Sequence, residues 1–201
     1  MNRKIGMYSA IINFCAVTLF AVSMIFGFDF GGYLTSMFIA LSFVPMVCAF
    51  VEKGGAKVAG KTAVAFAAIY ATFILLIYFA QLTTLRNETL TDQATTILDY
   101  QAFGLFFNFN QLGYGMMSLS TFFVGLTITA KTKVDKALKC LLLIHGIFFI
   151  SGLLLPTLGI FTVMDAEQGH FIGVLVLLIW CAYFAPIGIL SFRHFNSQKG
   201  E

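Results

Sequence analysis

The chain has 201 residues, of which 59% are hydrophobic and only 10% charged, and its net charge is +3. A soluble domain carries about 25% charged residues, and apolar blocks of about 20 residues match a hydrocarbon core rather than a single soluble one, so a soluble globular class is excluded. The Lys and Arg residues are scattered over short polar segments with no stripe and no aromatic platform among them, which excludes a nucleic-acid face.

In chain order, the apolar blocks predict an all-α bundle of six transmembrane helices filling one domain over 1–201, with spans at about 5–27, 33–51, 62–83, 105–130, 137–161 and 170–192. The first block lacks an A-x-A type cleavage site before the next span, so it reads as a span and not as a signal peptide. It carries Asn13. The second contains Pro45. The third contains Tyr70 and a small-xxx-small ladder of Ala63, Ala67 and Ala71, a pattern that lets helices approach closely, within this chain or against a second subunit.

The longest connection follows, from about Thr84 to Gly104. Its Thr91-Asp92-Gln93-Ala94-Thr95 stretch reads as a helix start with Thr91 or Asp92 as cap. A short interfacial helix is therefore expected on the outer surface, leading into the fourth span. Asn87-Glu88-Thr89 in this loop is formally a glycosylation sequon.

The fourth block opens on Asn108, Asn110 and Gln111. On a helix, Gln111, Tyr114, Gly115, Ser118 and Phe122 share one face. Buried amides need partners, so two readings stand: Asn108 or Asn110 caps the helix, or the amides and Tyr114 line an outward-facing pocket. The fifth block holds His145 and Pro156, and the sixth holds Pro186. Each proline lies late in its span and is expected to kink it. Pro45 and Pro156 hold matching places if the chain is two inverted halves, a plan common among transporters.

Loop charge sets the orientation. With the N-terminus inside, the inner segments carry Arg3, Lys4, Lys53, Lys57, Lys61, Lys131, Lys133, Lys136, Lys139, Arg193 and Lys199, and the outer segments carry only Arg86. Asp29, Glu88, Asp92, Asp99, Asp165 and Glu167 fall outside. Both ends are thus expected in the cytoplasm, across a bacterial inner membrane. Tyr33, Tyr78 and Tyr100 fall near the outer surface and Tyr8 near the inner one, depths that amphipathic rings prefer.

No Asp, Glu, Lys or Arg falls in the centre of a span, which argues against a carboxylate proton pump, a voltage sensor or a retinal Schiff base. His145 lies roughly 9 Å below the inner surface at 1.5 Å per residue. Level with it lie Asn13 and Tyr70, and these with Tyr183 form a candidate polar cluster: a cross-helix hydrogen bond, a substrate or proton site, or a ligand to a metal. His170 and His194 lie near opposite surfaces, so no histidine pair holds a haem. Cys15, Cys48, Cys140 and Cys181 all fall in apolar blocks and read as packing residues. No cofactor motif, metal box, phosphate loop or nucleophile elbow is present.

Three functions remain. The first is binding or translocation of a small neutral or amphipathic solute or lipid. The second is a non-catalytic subunit or accessory protein docking a partner through its small-residue face, in a homo- or hetero-oligomer. In helix count, cytoplasmic ends and small-residue contacts, that reading resembles the substrate-binding subunits of vitamin uptake complexes, although Phe28 to Gly32 is too short for their lid. The third is an intramembrane enzyme using His145, which lacks a carboxylate to orient it.

Overall fold

In the computed structural model, residues 2–52, 56–86, 90–163 and 166–197 are described. The Asn87-Glu88-Thr89 sequon lies outside them, as do Lys53, Asp165 and Lys199 of the charge count and the side chains of Glu167 and His170. The helices are α1 (Asn2–Ile25), α2 (Asp29–Glu52), α3 (Lys57–Leu82), α4 (Asp92–Leu98), α5 (Leu105–Thr127), α6 (Lys133–His145), α7 (Phe148–Thr157) and α8 (Ala166–Ser197). No strand occurs among the described residues.

Five segments are long and apolar enough to cross a membrane: Asn2–Ile25, Asp29–Glu52, Lys57–Arg86, Lys133–Thr157 and Phe171–Ser197. The helix α5 matches them in length with 23 residues, but its amides, glycines and hydroxyls dilute its hydropathy. Those polar groups turn inward: Asn110, Ser118, Ser120 and Thr121 are buried. Asn13, His145 and Ser191 are buried as well, whereas Leu19, Leu41, Leu76, Ile150 and Ile179 are exposed along the outside. A polar-seeded interior under an apolar surface inverts the plan of a soluble protein and suits a helical membrane bundle.

The long helices alternate in direction and close into a ring. α1 packs between α2 and α8, α3 packs between α2 and α5, and α6 links α5 back to α8. The ends of the chain meet: the Arg3 guanidinium donates to the backbone oxygens of Phe195 (2.8 Å) and Asn196 (3.3 Å). That end of the bundle, with the α2–α3 and α5–α6 connections, is called the lower end here. The upper end holds the α1–α2 turn and the α3–α5 connection.

Local chemistry accounts for the turns. Gly27 takes φ +63° with open space around it, the left-handed conformation that lets α1 reverse into α2. Thr132 and Asp135 form a capping box at the start of α6. Thr91 caps α4 by accepting from Ala94 N. α4 does not lead smoothly into α5: it stops at Leu98, a 3-10 turn covers Tyr100–Ala102, and Phe103 takes φ 52° before α5 begins.

Pro45 and Pro186 lie inside α2 and α8, and Pro156 is the penultimate residue of α7. The break in the fifth apolar block comes earlier, at Gly146. There Gly146 N donates to Leu143 O and Ile147 N to Ile144 O, i to i+3 bonds that tighten the backbone between α6 and α7. A Cβ at Gly146 would lie 2.9 Å from the Phe122 Cβ, so glycine lets this tight turn sit against α5.

Candidate functional site

Two arrangements stand out, one at mid-depth and one above it. At mid-depth, five aromatic rings close into a circuit contributed by four helices. Phe43 of α2 meets Tyr70 of α3 (centroids 5.4 Å apart), and Tyr70 meets Tyr114 of α5 (5.7 Å). Tyr114 meets Trp180 of α8 (5.2 Å), Trp180 stacks on Phe184 (5.0 Å), and Phe184 returns to Phe43 (6.4 Å). Two edge-to-face contacts, Phe43 with Tyr70 and Tyr114 with Trp180, and the stacked Trp180–Phe184 pair stabilise the circuit beyond area burial alone. It plugs the centre of the bundle.

His145 braces the plug from the side. Trp180 Nε1 donates to His145 Nε2 at 3.1 Å, so Nε2 must carry its lone pair. Nδ1 then holds the proton and donates to Thr121 Oγ1 at 2.7 Å, and Thr121 donates in turn to the Ser118 oxygen at 2.8 Å. The ring also stacks on Tyr183 at 5.8 Å. Both nitrogens of this fully buried imidazole are therefore committed to the protein, leaving neither for a metal or a substrate in this arrangement.

Above the plug lies a cavity of about 450 Å³. Phe20, Ser23 and Met24 of α1, Asp29 and Tyr33 of α2, Tyr78 of α3 and Phe107 of α5 line it. Gly173, Val174 and Leu177 of α8 form another wall, and Tyr100, Gln101 and Phe103 from the α3–α5 connection close over it. Tyr33, Tyr78 and Tyr100 contact one another at 5.5, 6.0 and 6.5 Å. Buried Gln81 holds the connection in place, donating to Leu98 O (2.7 Å) and accepting from Tyr100 N (3.2 Å). Burial pushes the Tyr100 phenol above its usual range, so it stays neutral. Gln101 reaches across to Asp29 Oδ2 (3.1 Å) and the Tyr33 hydroxyl (3.4 Å), so the cover is latched to α2.

No protein-family model matches the chain, and neither does a curated protein or a solved structure. What the chain does must be read from its own residues.

The residues singled out from the sequence fall elsewhere. None of Asn13, Tyr70, Asn108, Asn110, Gln111, Tyr114, Ser118 and His145 is among the described residues lining the cavity. Tyr70 and Tyr114 belong to the plug instead. Their hydroxyls, like Asn110 Oδ1, are buried without a hydrogen-bond partner among the described residues. Neither Asn108 nor Asn110 caps α5, whose N-cap is Gly104. Asn108 is exposed, Gln111 half-buried, and Ser118 bonds back to Tyr114 O on its own helix. Asn13 bonds to Ile39 O and Ser42 on α2, not to His145. The alanine ladder is consumed internally: Ala63 and Ala67 are fully buried, Ala71 nearly so, and Ala63 O accepts from Ser120 of α5 at 2.8 Å. Sequence reasoning missed Trp180 and Thr121 as partners of His145. It noticed Tyr33, Tyr78 and Tyr100 only as a shared depth, which was the available signal for the cavity.

Proposed function

We propose that this protein spans a bacterial inner membrane six times, with both ends in the cytoplasm, and binds a small neutral or amphipathic solute or lipid in the cavity above the aromatic plug. The observation that carries this reading is the cavity itself. At about 450 Å³ it falls in the range of small-molecule sites, with mostly apolar walls and a few convergent polar groups. The aromatic plug lies below the cavity in the bundle, which supports binding; onward passage would require Phe43, Tyr70, Tyr114, Trp180 and Phe184 to part.

Six spans are supported by the meeting of the chain ends at Arg3, which requires an even number of crossings, and by the length of α5. The basic lower connections support the orientation. Thr91→Cys should react with an impermeant maleimide from the cell exterior, and Thr129→Cys only after permeabilisation. The reverse pattern would invert the bundle.

Binding is tested with a photoactivatable diazirine octanol on the protein in maltoside micelles, with adducts mapped by mass spectrometry. Adducts are expected on the walls, at Tyr33, Tyr78 and Tyr100. Gly173→Phe should abolish them while leaving the fold intact. A Cβ at Gly173 meets nothing within 4 Å among the described residues, and any non-proline residue improves on glycine in a helix. Adducts spread only over the lipid-facing surface, unchanged by Gly173→Phe, would refute a binding cavity.

A further inference from the structure

Resting on the cavity as the binding site, we infer that its occupant carries a cationic head, a tertiary or quaternary ammonium on an apolar tail. Among the described lining residues, Asp29 is the only acidic side chain, and no Lys, Arg or His joins it. Aromatic rings line the same cavity, Tyr33, Tyr78 and Tyr100 in mutual contact and Phe28 among the other walls. Aromatic faces carry partial negative charge and attract ammonium groups, most strongly where water is thinned. Carboxylate and rings therefore favour the same sign of charge, and both repel an anion.

Asp29 is presented, not merely present. It sits in the first turn of α2, where the helix dipole favours a carboxylate, and the Gln101 amide holds its Oδ2 at 3.1 Å. Asp29 is exposed, so an ammonium gains a solvent-screened attraction to its carboxylate that a neutral head does not. The tail has an apolar place between Phe20 and Met24 of α1 and Val174 and Leu177 of α8, beside the open space at Gly173.

The test is competition against the diazirine octanol adduct, in neutral maltoside micelles, by three octyl compounds differing only in head group: octyltrimethylammonium, octyl glucoside and octyl sulfate. The ammonium compound should compete at about tenfold lower concentration than the glucoside, and the sulfate should be the weakest. Asp29→Asn removes the carboxylate while keeping an oxygen acceptor for Gln101, so the order among the three competitors should collapse and they should converge. Equal competition on the unaltered protein, or an order untouched by Asp29→Asn, would reduce Asp29 to a helix-starting charge; the cavity would remain a binding site and its cationic preference would be refuted. Absence of any cavity adduct would instead overturn the binding site itself.

Discussion

His145→Ala should lower the stability of the purified protein by about 2–4 kcal/mol, measured by titrating mixed micelles with a denaturing detergent. The substitution removes a fully buried ring, and with it the acceptor for Trp180 Nε1 and the donor to Thr121. Cross-helix hydrogen bonds in membranes contribute only about 0.6 kcal/mol each on average. The larger share of the loss therefore comes from the void left among Phe148, Trp180, Tyr183 and Phe184, whose rings lie 5.1–6.5 Å from the imidazole. The protein reports the change itself, because Trp180 is its only tryptophan. Losing the indole hydrogen bond should shift Trp180 emission, and His145→Gln, which restores an acceptor, should recover part of both signals. Unchanged stability and emission in His145→Ala would mean that the imidazole is no brace.

Gly152→Leu should prevent assembly of the upper half of the bundle and sharply reduce folded yield. α7 crosses α5 here at backbone contact: a Cβ on Gly152 would lie 2.8 Å from the Gln111 oxygen and 3.3 Å from both Gly115 Cα and Gly115 N. These are main-chain atoms that no rotamer change can move, so even Gly152→Ala must push the helices apart. Overpacking of this kind costs about 1–3 kcal/mol, against which alanine regains about 1 kcal/mol of helix propensity. Alanine should therefore be mildly to moderately destabilising and leucine severely so. Gly173→Ala is the matched control: the same propensity gain, nothing among the described residues within 4 Å to clash with, and hence neutral or slightly raised stability. Detergent-unfolding midpoints for the three variants give the comparison; equal midpoints would remove the close crossing.

The two glycines show how far sequence reasoning reaches. Gly115 stood out on one helix face with Gln111, Tyr114 and Ser118, but its partner Gly152, 37 positions away, carried no signal of its own. The same holds for the amides. Asn108 and Asn110 are two residues apart, about 200° around a helix, so one faces out and the other in. Composition sees both alike, and only the packing of α5 against α3 and α7 selects Asn110 for burial. The break between α6 and α7 at Gly146 likewise carried no signal of its own: glycine is needed there because the tight turn sits against Phe122 of α5.

By itself the sequence determined the medium, the long apolar helices and the cap at Thr91. Hydropathy accumulates residue by residue along one helix, and a cap is a bond between near neighbours, so both are written locally. Only the tertiary structure decided the plug, the partners of His145 and the cavity. Each is assembled from several helices whose rotations are set jointly by packing, and a single rotation of 100° per residue along any one of them replaces the side chain that points inward.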